Sequence, residues 1–202
     1  MRQALALHQA GRLADAEALY RQVLAARADH AAALHFLGLL LHQSGRSADG
    51  LALMQRSVKA QPGNVDFLNN LGTALRDVGQ VKAAAEQFRK AVALKPDHGA
   101  ARDNLGTVEK QLGRFEAAEA VFRGTIGRNP FHTRARLGLA DTLQEAGRID
   151  KALAAFGEAL TIRPKDAELL HGMGVALMEK GDLAGAADHF RRALAIDPSQ
   201  AK

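Results

Sequence analysis

The stretch VDFLNNLGTALRDVGQVKAAAEQFRKAVALKPDH, residues 65–98, decides the fold. Leu68, Leu71 and Leu75 recur at steps of three and four, the spacing of one face of an α-helix, and Gly79 follows soon after. Ala84, Phe88 and Ala91 then form a second apolar stripe that runs toward Pro96. A glycine in the left-handed conformation ends a helix, and a proline, lacking an N–H, lies just past the end of one. The stretch therefore predicts helix, turn, helix, stop.

The pattern extends in both directions. Gly11, Gly45, Gly79, Gly113, Gly147 and Gly181 stand 34 residues apart, and all five prolines, Pro62, Pro96, Pro130, Pro164 and Pro198, keep the same period. Randomly placed prolines would share one phase with a chance of about one in a million, so the period belongs to the whole chain. Leu34, Leu37 and Leu41 repeat the first stripe, and Ala152, Phe156 and Ala159 the second. Asn64, Asp97 and Asp166, just after prolines, suit the capping of the next helix. The expectation is an all-α chain, one domain over residues 1–202. It holds six two-helix repeats at about 1–30, 31–64, 65–98, 99–132, 133–166 and 167–200.

Two columns predict how the helices pack. Seven residues before the turn glycines stand Gly38, Gly72, Gly106, Ala140 and Gly174, where a mid-helix glycine costs about 1 kcal/mol against alanine unless a close crossing compensates. Nine residues after the turn glycines stand Tyr20, Met54, Phe88, Phe122, Phe156 and Phe190, large side chains that fill the space the small ones leave. These columns, the Leu-Gly pairs (Leu37-Gly38, Leu71-Gly72, Leu105-Gly106), the turn glycines and the prolines resemble the tetratricopeptide repeat family over nearly the whole chain. The resemblance implies an α–α superhelix, a right-handed solenoid of stacked helix-turn-helix repeats. Its first helices would line a concave groove that holds an extended peptide of a partner protein. Departures are local: Ala28 stands where proline is expected, and Arg102 and Arg136 occupy a column that prefers large apolar residues. Their stems are expected to cover apolar surface while the charge reaches water.

On that implied groove the chain offers His35, Phe36, Leu39 and His42 from the second repeat, then Asn69, Asn70, Thr73 and Arg76 from the third. The fourth adds Asp103, Asn104, Thr107 and Lys110, and the fifth Asp141 and Gln144. Asn70 and Asn104 are suited to hold a peptide backbone, because a carboxamide donates and accepts at once. They also resemble the stacked groove asparagines of the repeat arm of O-linked N-acetylglucosamine transferases; helix packing is the competing role. Phe36 and Leu39 could be binding anchors or packing against a neighbouring helix. His8, His42, Arg76 and Lys110 fall in one column and form either a basic stripe that steers an acidic segment or an unrelated set on a solvated wall. The clamp of Lys, Asn, Asn, Lys and Arg that binds chaperone carboxyl-terminal tails in related proteins is not matched. The corresponding residues here are His35, Leu39, Asn70, Ala100 and Asn104.

Composition excludes several other functions. Without cysteine there are no disulfides, zinc fingers, iron–sulfur clusters or thiol nucleophiles. The chain has no G-x-S-x-G, phosphate-loop or H-E-x-x-H motif, and no carboxylate accompanies His8, His35 and His42 as a metal site would require. A non-catalytic scaffold without cofactor or metal is expected. The rival is the substrate-recognition arm of a larger enzyme, a glycosyltransferase or sulfotransferase, on a weak likeness of residues Ala10 to Tyr20 to bacterial arrays that precede such domains. The pI of about 9.8 does not signal nucleic acid. Cut at residues 30, 64, 98, 132 and 166, the chain carries +1, +2, +1, +1, +1 and −1, with no basic block for nucleic-acid phosphates. No apolar run reaches the ~20 residues of a membrane helix and no secretory leader is legible, so cytoplasmic residence is expected. Leu183, Ala187, Leu194 and Ile196 match residues that face the next repeat in the preceding unit, which predicts either weak self-association through the terminal repeats or a chain that is part of something longer.

Overall fold

The computed structural model describes residues 1–201, with side chains described to Ser199. Among the described residues there are twelve α-helices and no strand. They are α1 (Arg2–Gln9), α2 (Leu13–Ala26), α3 (Ala31–Gln43), α4 (Ser47–Ala60), α5 (Val65–Asp77), α6 (Val81–Leu94), α7 (Gly99–Gln111), α8 (Phe115–Arg128), α9 (Thr133–Glu145), α10 (Ile149–Ile162), α11 (Ala167–Lys180) and α12 (Leu183–Ile196). A short 3-10 turn follows at Pro198–Ala201. The chain divides into two compact units, Met1–Ala101 and Arg102–Lys202, with the boundary inside α7.

Every break between paired helices falls at a turn glycine. All six have positive φ, from 69° at Gly113 to 90° at Gly181. In the second repeat, Gly45 N–H donates to His42 O and Arg46 N–H reaches back to Leu41 O at 2.8 Å, satisfying carbonyls that the helix end would orphan. The first helices are capped one position later than Asp97 suggested. His98 Nδ1 accepts from Ala101 N–H at 3.1 Å, and His30 and His132 do the same for Ala33 and Ala135. Asn64 and Asp166 cap at the equivalent positions as expected. A deprotonated imidazole nitrogen is an acceptor like a carboxylate oxygen, and the 34-residue frame places it where the cap is needed.

In the first unit, α2 and α3 enclose Tyr20, Leu37, Leu40 and Leu41, all buried, and Leu68 of α5 packs with Ala91 and Ala101. In the second, Phe122, Leu139, Leu143, Phe156 and Leu169 form the core. The small-residue column is a close crossing: a Cβ on Gly106 would lie 2.5 Å from Phe122 Cζ, and one on Gly72 2.6 Å from Phe88 Cε1. Arg102 departs from expectation. Its guanidinium is largely withdrawn from water. It lies along α8, where Nε donates to Thr125 Oγ1 at 2.8 Å and Nη2 to Val121 O at 3.1 Å, and the residue is 8% exposed. Gly124 makes room, because a side chain there would begin 2.6 Å from Nη2. Arg136 stays half-buried, with Nε donating to Pro130 O. On the last helix, Leu183 is 68% and Ile196 44% exposed.

Candidate functional site

First helices of successive pairs lie side by side within each unit, and clefts form between them. In the first unit, Leu39, His42 and Gln43 of α3 face Asn70, Thr73, Ala74 and Asp77 of α5 across a cleft of about 280 Å³. In the second, Leu137 and Asp141 of α9 face Glu168, His171 and Gly172 of α11 across about 470 Å³. Asp141 also borders a cleft of about 200 Å³ with Gln144, Glu145 and Glu179.

The structure sorts the expected residues. Leu39, His42, Asn70 and Thr73 come together in the first unit, and Asp141 and Gln144 in the second. His35 does not join them. It is 1% exposed, its ring stacks on Phe67 with centroids 4.1 Å apart, and Asn70 Nδ2 donates to its Nε2 at 3.1 Å. That bond leaves the proton on Nδ1, which has no partner, and burial pulls the imidazole pKa down to about 4. Phe36 is half-buried and stacks on Tyr20. Asp103, one repeat-pair on from His35, is also buried. Its carboxylate is 3.5 Å from His132 Nε2, and burial raises its pKa against the pull of that imidazole. Thr73 and Thr107 turn their hydroxyls onto the carbonyls of Asn69 and Asp103. Asn69, Arg76 and Asn104 are half-buried on the same helices.

The basic column is not a free basic stripe. His8, His42 and Lys110 each meet the residue 35 positions on, at the next first helix. His8 Nε2 lies 3.1 Å from Gln43 Oε1, and His42 Nε2 3.4 Å from Asp77 Oδ2. Lys110 Nζ donates to Glu145 Oε1 at 2.6 Å, and Gln144 Nε2 to Glu179 Oε1 at 2.7 Å. Arg76 sits 3.4 Å from the carboxylate of Asp77. Reading one column at a time hid these pairs; Gln43, Asp77, Glu145 and Glu179 were themselves in register two residues before the turn glycines. In the second unit the result is acidic. Burial and the neighbouring Glu145 and Glu168 raise the pKa of Asp141, while Lys110, 4.0 Å away, opposes them.

Helix pairs repeated in register, with polar clefts between their first helices, define an α-repeat scaffold. The chain belongs to the tetratricopeptide repeat family, whose models match residues 1–65, 69–133, 104–167 and 137–201. Proteins of this family are interaction scaffolds that bind protein or peptide partners. A solved structure of MamA is 25% identical with a TM-score of 0.72, covering 82% of this chain and 96% of that one. A tetratricopeptide repeat protein from Parabacteroides merdae ATCC 43184 shares 21% identity at a TM-score of 0.85, over 96% of this chain and 77% of that one. YrrB, a repeat protein with an unusual peptide-binding site, is 21% identical at a TM-score of 0.69, over 89% and 92%. No curated protein sequence matches. No helix among the described residues is long and apolar enough to cross a membrane.

Proposed function

We propose that the chain is a non-catalytic scaffold that holds an extended segment of a partner protein against its first helices. The cleft between α3 and α5 carries this reading. It sets an apolar wall at Leu39 beside the carboxamide of Asn70, the imidazole of His42 and the carboxylate of Asp77, which is the mixture that grips a peptide backbone while seating one apolar side chain. The unusual peptide-binding site of YrrB supports peptide recognition on this fold. Asn70 also ties down buried His35, so its removal would disturb packing and binding together. Leu39 is the cleaner probe.

Peptides selected from a random displayed library on the full chain should perturb amide resonances of α3 and α5. Leu39→Glu should weaken those peptides at least about tenfold, as truncating an anchor does, with the melting temperature little changed. Perturbations confined to α4 and α6 would move the site off this face. The exposed face of α12, with Leu183 and Ile196, further supports weak self-association. Light scattering across a wide concentration range should show mass rising with concentration; a monomer throughout would exclude it.

A further inference from the structure

Away from the first-helix faces, the first unit has a second and larger cleft, of about 570 Å³, at the corner where α2 hands over to α3 and α4 ends. Arg27, Asp29, Arg56 and Lys59 line it over a floor of Leu34 and Ala60. The lining therefore carries three cations and one carboxylate.

The position equivalent to Leu34 two repeats on is filled differently. There Arg102 stands in the position of Leu34, and its guanidinium runs along α8 to Val121 O and Thr125 Oγ1. Gly124 stands in the position of Arg56 and lets it pass. In the second repeat the relation is inverted. The apolar Leu34 stays down, leaving the corner open, and the cations come from the rim. Arg56 is held in place, with Nη2 donating to Ala28 O at 2.9 Å, which leaves its remaining N–H groups to another acceptor. Asp29 answers Arg27 only loosely, at 3.9 Å with both side chains mostly exposed, and such a pair is worth little. No ion pair involving Lys59 is found among the described residues.

We propose that this corner binds a phosphate group carried by a soluble ester or a lipid headgroup. The excess of two positive charges matches a phosphate dianion. A phosphate also presents enough peripheral oxygens to take the Arg56 fork, Arg27 and Lys59 at once, whereas a carboxylate would leave a cation unanswered.

The test is an amide-resonance titration of the full chain with inorganic phosphate at about pH 7.5, ionic strength held constant with chloride. Saturable shifts should centre on Ala31, Leu34 and residues 56–61. They should weaken as the pH falls and the phosphate dianion takes up a proton, and acetate should not reproduce them. Arg56→Ala should weaken binding at least about tenfold, Arg56→Lys less, and Lys82→Ala, on an exposed part of α6, not at all. Glycerol 3-phosphate and, separately, vesicles of phosphatidylcholine containing phosphatidic acid distinguish the two sources, and Arg56-dependent binding of either supports the site. Shifts spread over basic residues generally, equal shifts with acetate, or full affinity in a folded Arg56→Ala chain would overturn it.

Discussion

Phe122→Ala should cost about 3–5 kcal/mol of stability in urea denaturation, toward the upper end of what a buried ring yields. The reason lies on both sides of the ring. Phe122 is 2% exposed, and its edge lies where side chains on Gly106 of α7 and on Gly138 of α9 would begin, each 2.5 Å from Cζ. A void left by a lost ring is relieved when neighbouring side chains collapse into it, and two glycines have none to offer. The reciprocal change follows from the same geometry. Gly138→Ala should destabilise by about 1–3 kcal/mol through overpacking, and combining it with Phe122→Leu should recover part of that loss, a coupling that a double-mutant cycle measures. A cost below about 1 kcal/mol for Phe122→Ala would mean that the ring is not the wedge between these helices.

Acid should destabilise the first unit through His35. The imidazole is held at about 4 in the folded chain, against about 6.5 in the unfolded one, so the unfolded chain takes up a proton that the folded chain refuses. Stability contributed by the neutral ring is complete above about pH 6.5, falls as the pH drops below that value, and is lost by about pH 4, a total of about 3 kcal/mol. Protonation would also turn a second N–H toward the Asn70 amide that donates to Nε2, while Nδ1 stays without an acceptor. The charge on Asp66 opposes the shift without offsetting it. The raised carboxyls of Asp103 and Asp141 act with the opposite sign, since acid relieves them, so whole-protein curves mix the two. Subtracting the pH dependence of His35→Gln from that of the native chain isolates the histidine, and the difference between about pH 7.5 and pH 5 should approach 2 kcal/mol. Parallel curves for the two chains would refute the assignment.

How the fold could be read from the chain, and where that reading stopped, follows from which forces are local. Turn glycines, small residues at crossings and large ones opposite act through backbone conformation and volume, and a single repeat displays them. Gly106 and Phe122 are legible from spacing alone. The cap histidines were less so, because imidazole serves as an acceptor only in one protonation state, and Asp97 beside His98 is the more familiar cap. His35 and Asp103 shared a column with groove residues and yet are buried, since whether a position faces a cleft or a neighbouring ring depends on the next repeat, as Phe67 shows for His35. The charge on the inner faces is hard to read for a related reason: a column of bases means little until the residue one repeat ahead is placed beside it.

That pairing across 35 positions bears on how such a chain can change its length. At four of the junctions one repeat offers a partner at its trailing edge and the next repeat the matching partner at its leading edge, like tongue and groove. If residues 65–98 were deleted as a block, His42 would be brought opposite Gln111, again a ring nitrogen beside a carboxamide oxygen, the same pair that His8 makes with Gln43. Cuts that are not a whole number of repeats would bring unlike edges together. Whole-repeat duplication and loss therefore preserve the joinery, and the array can lengthen or shorten by recombination without each junction having to be redesigned.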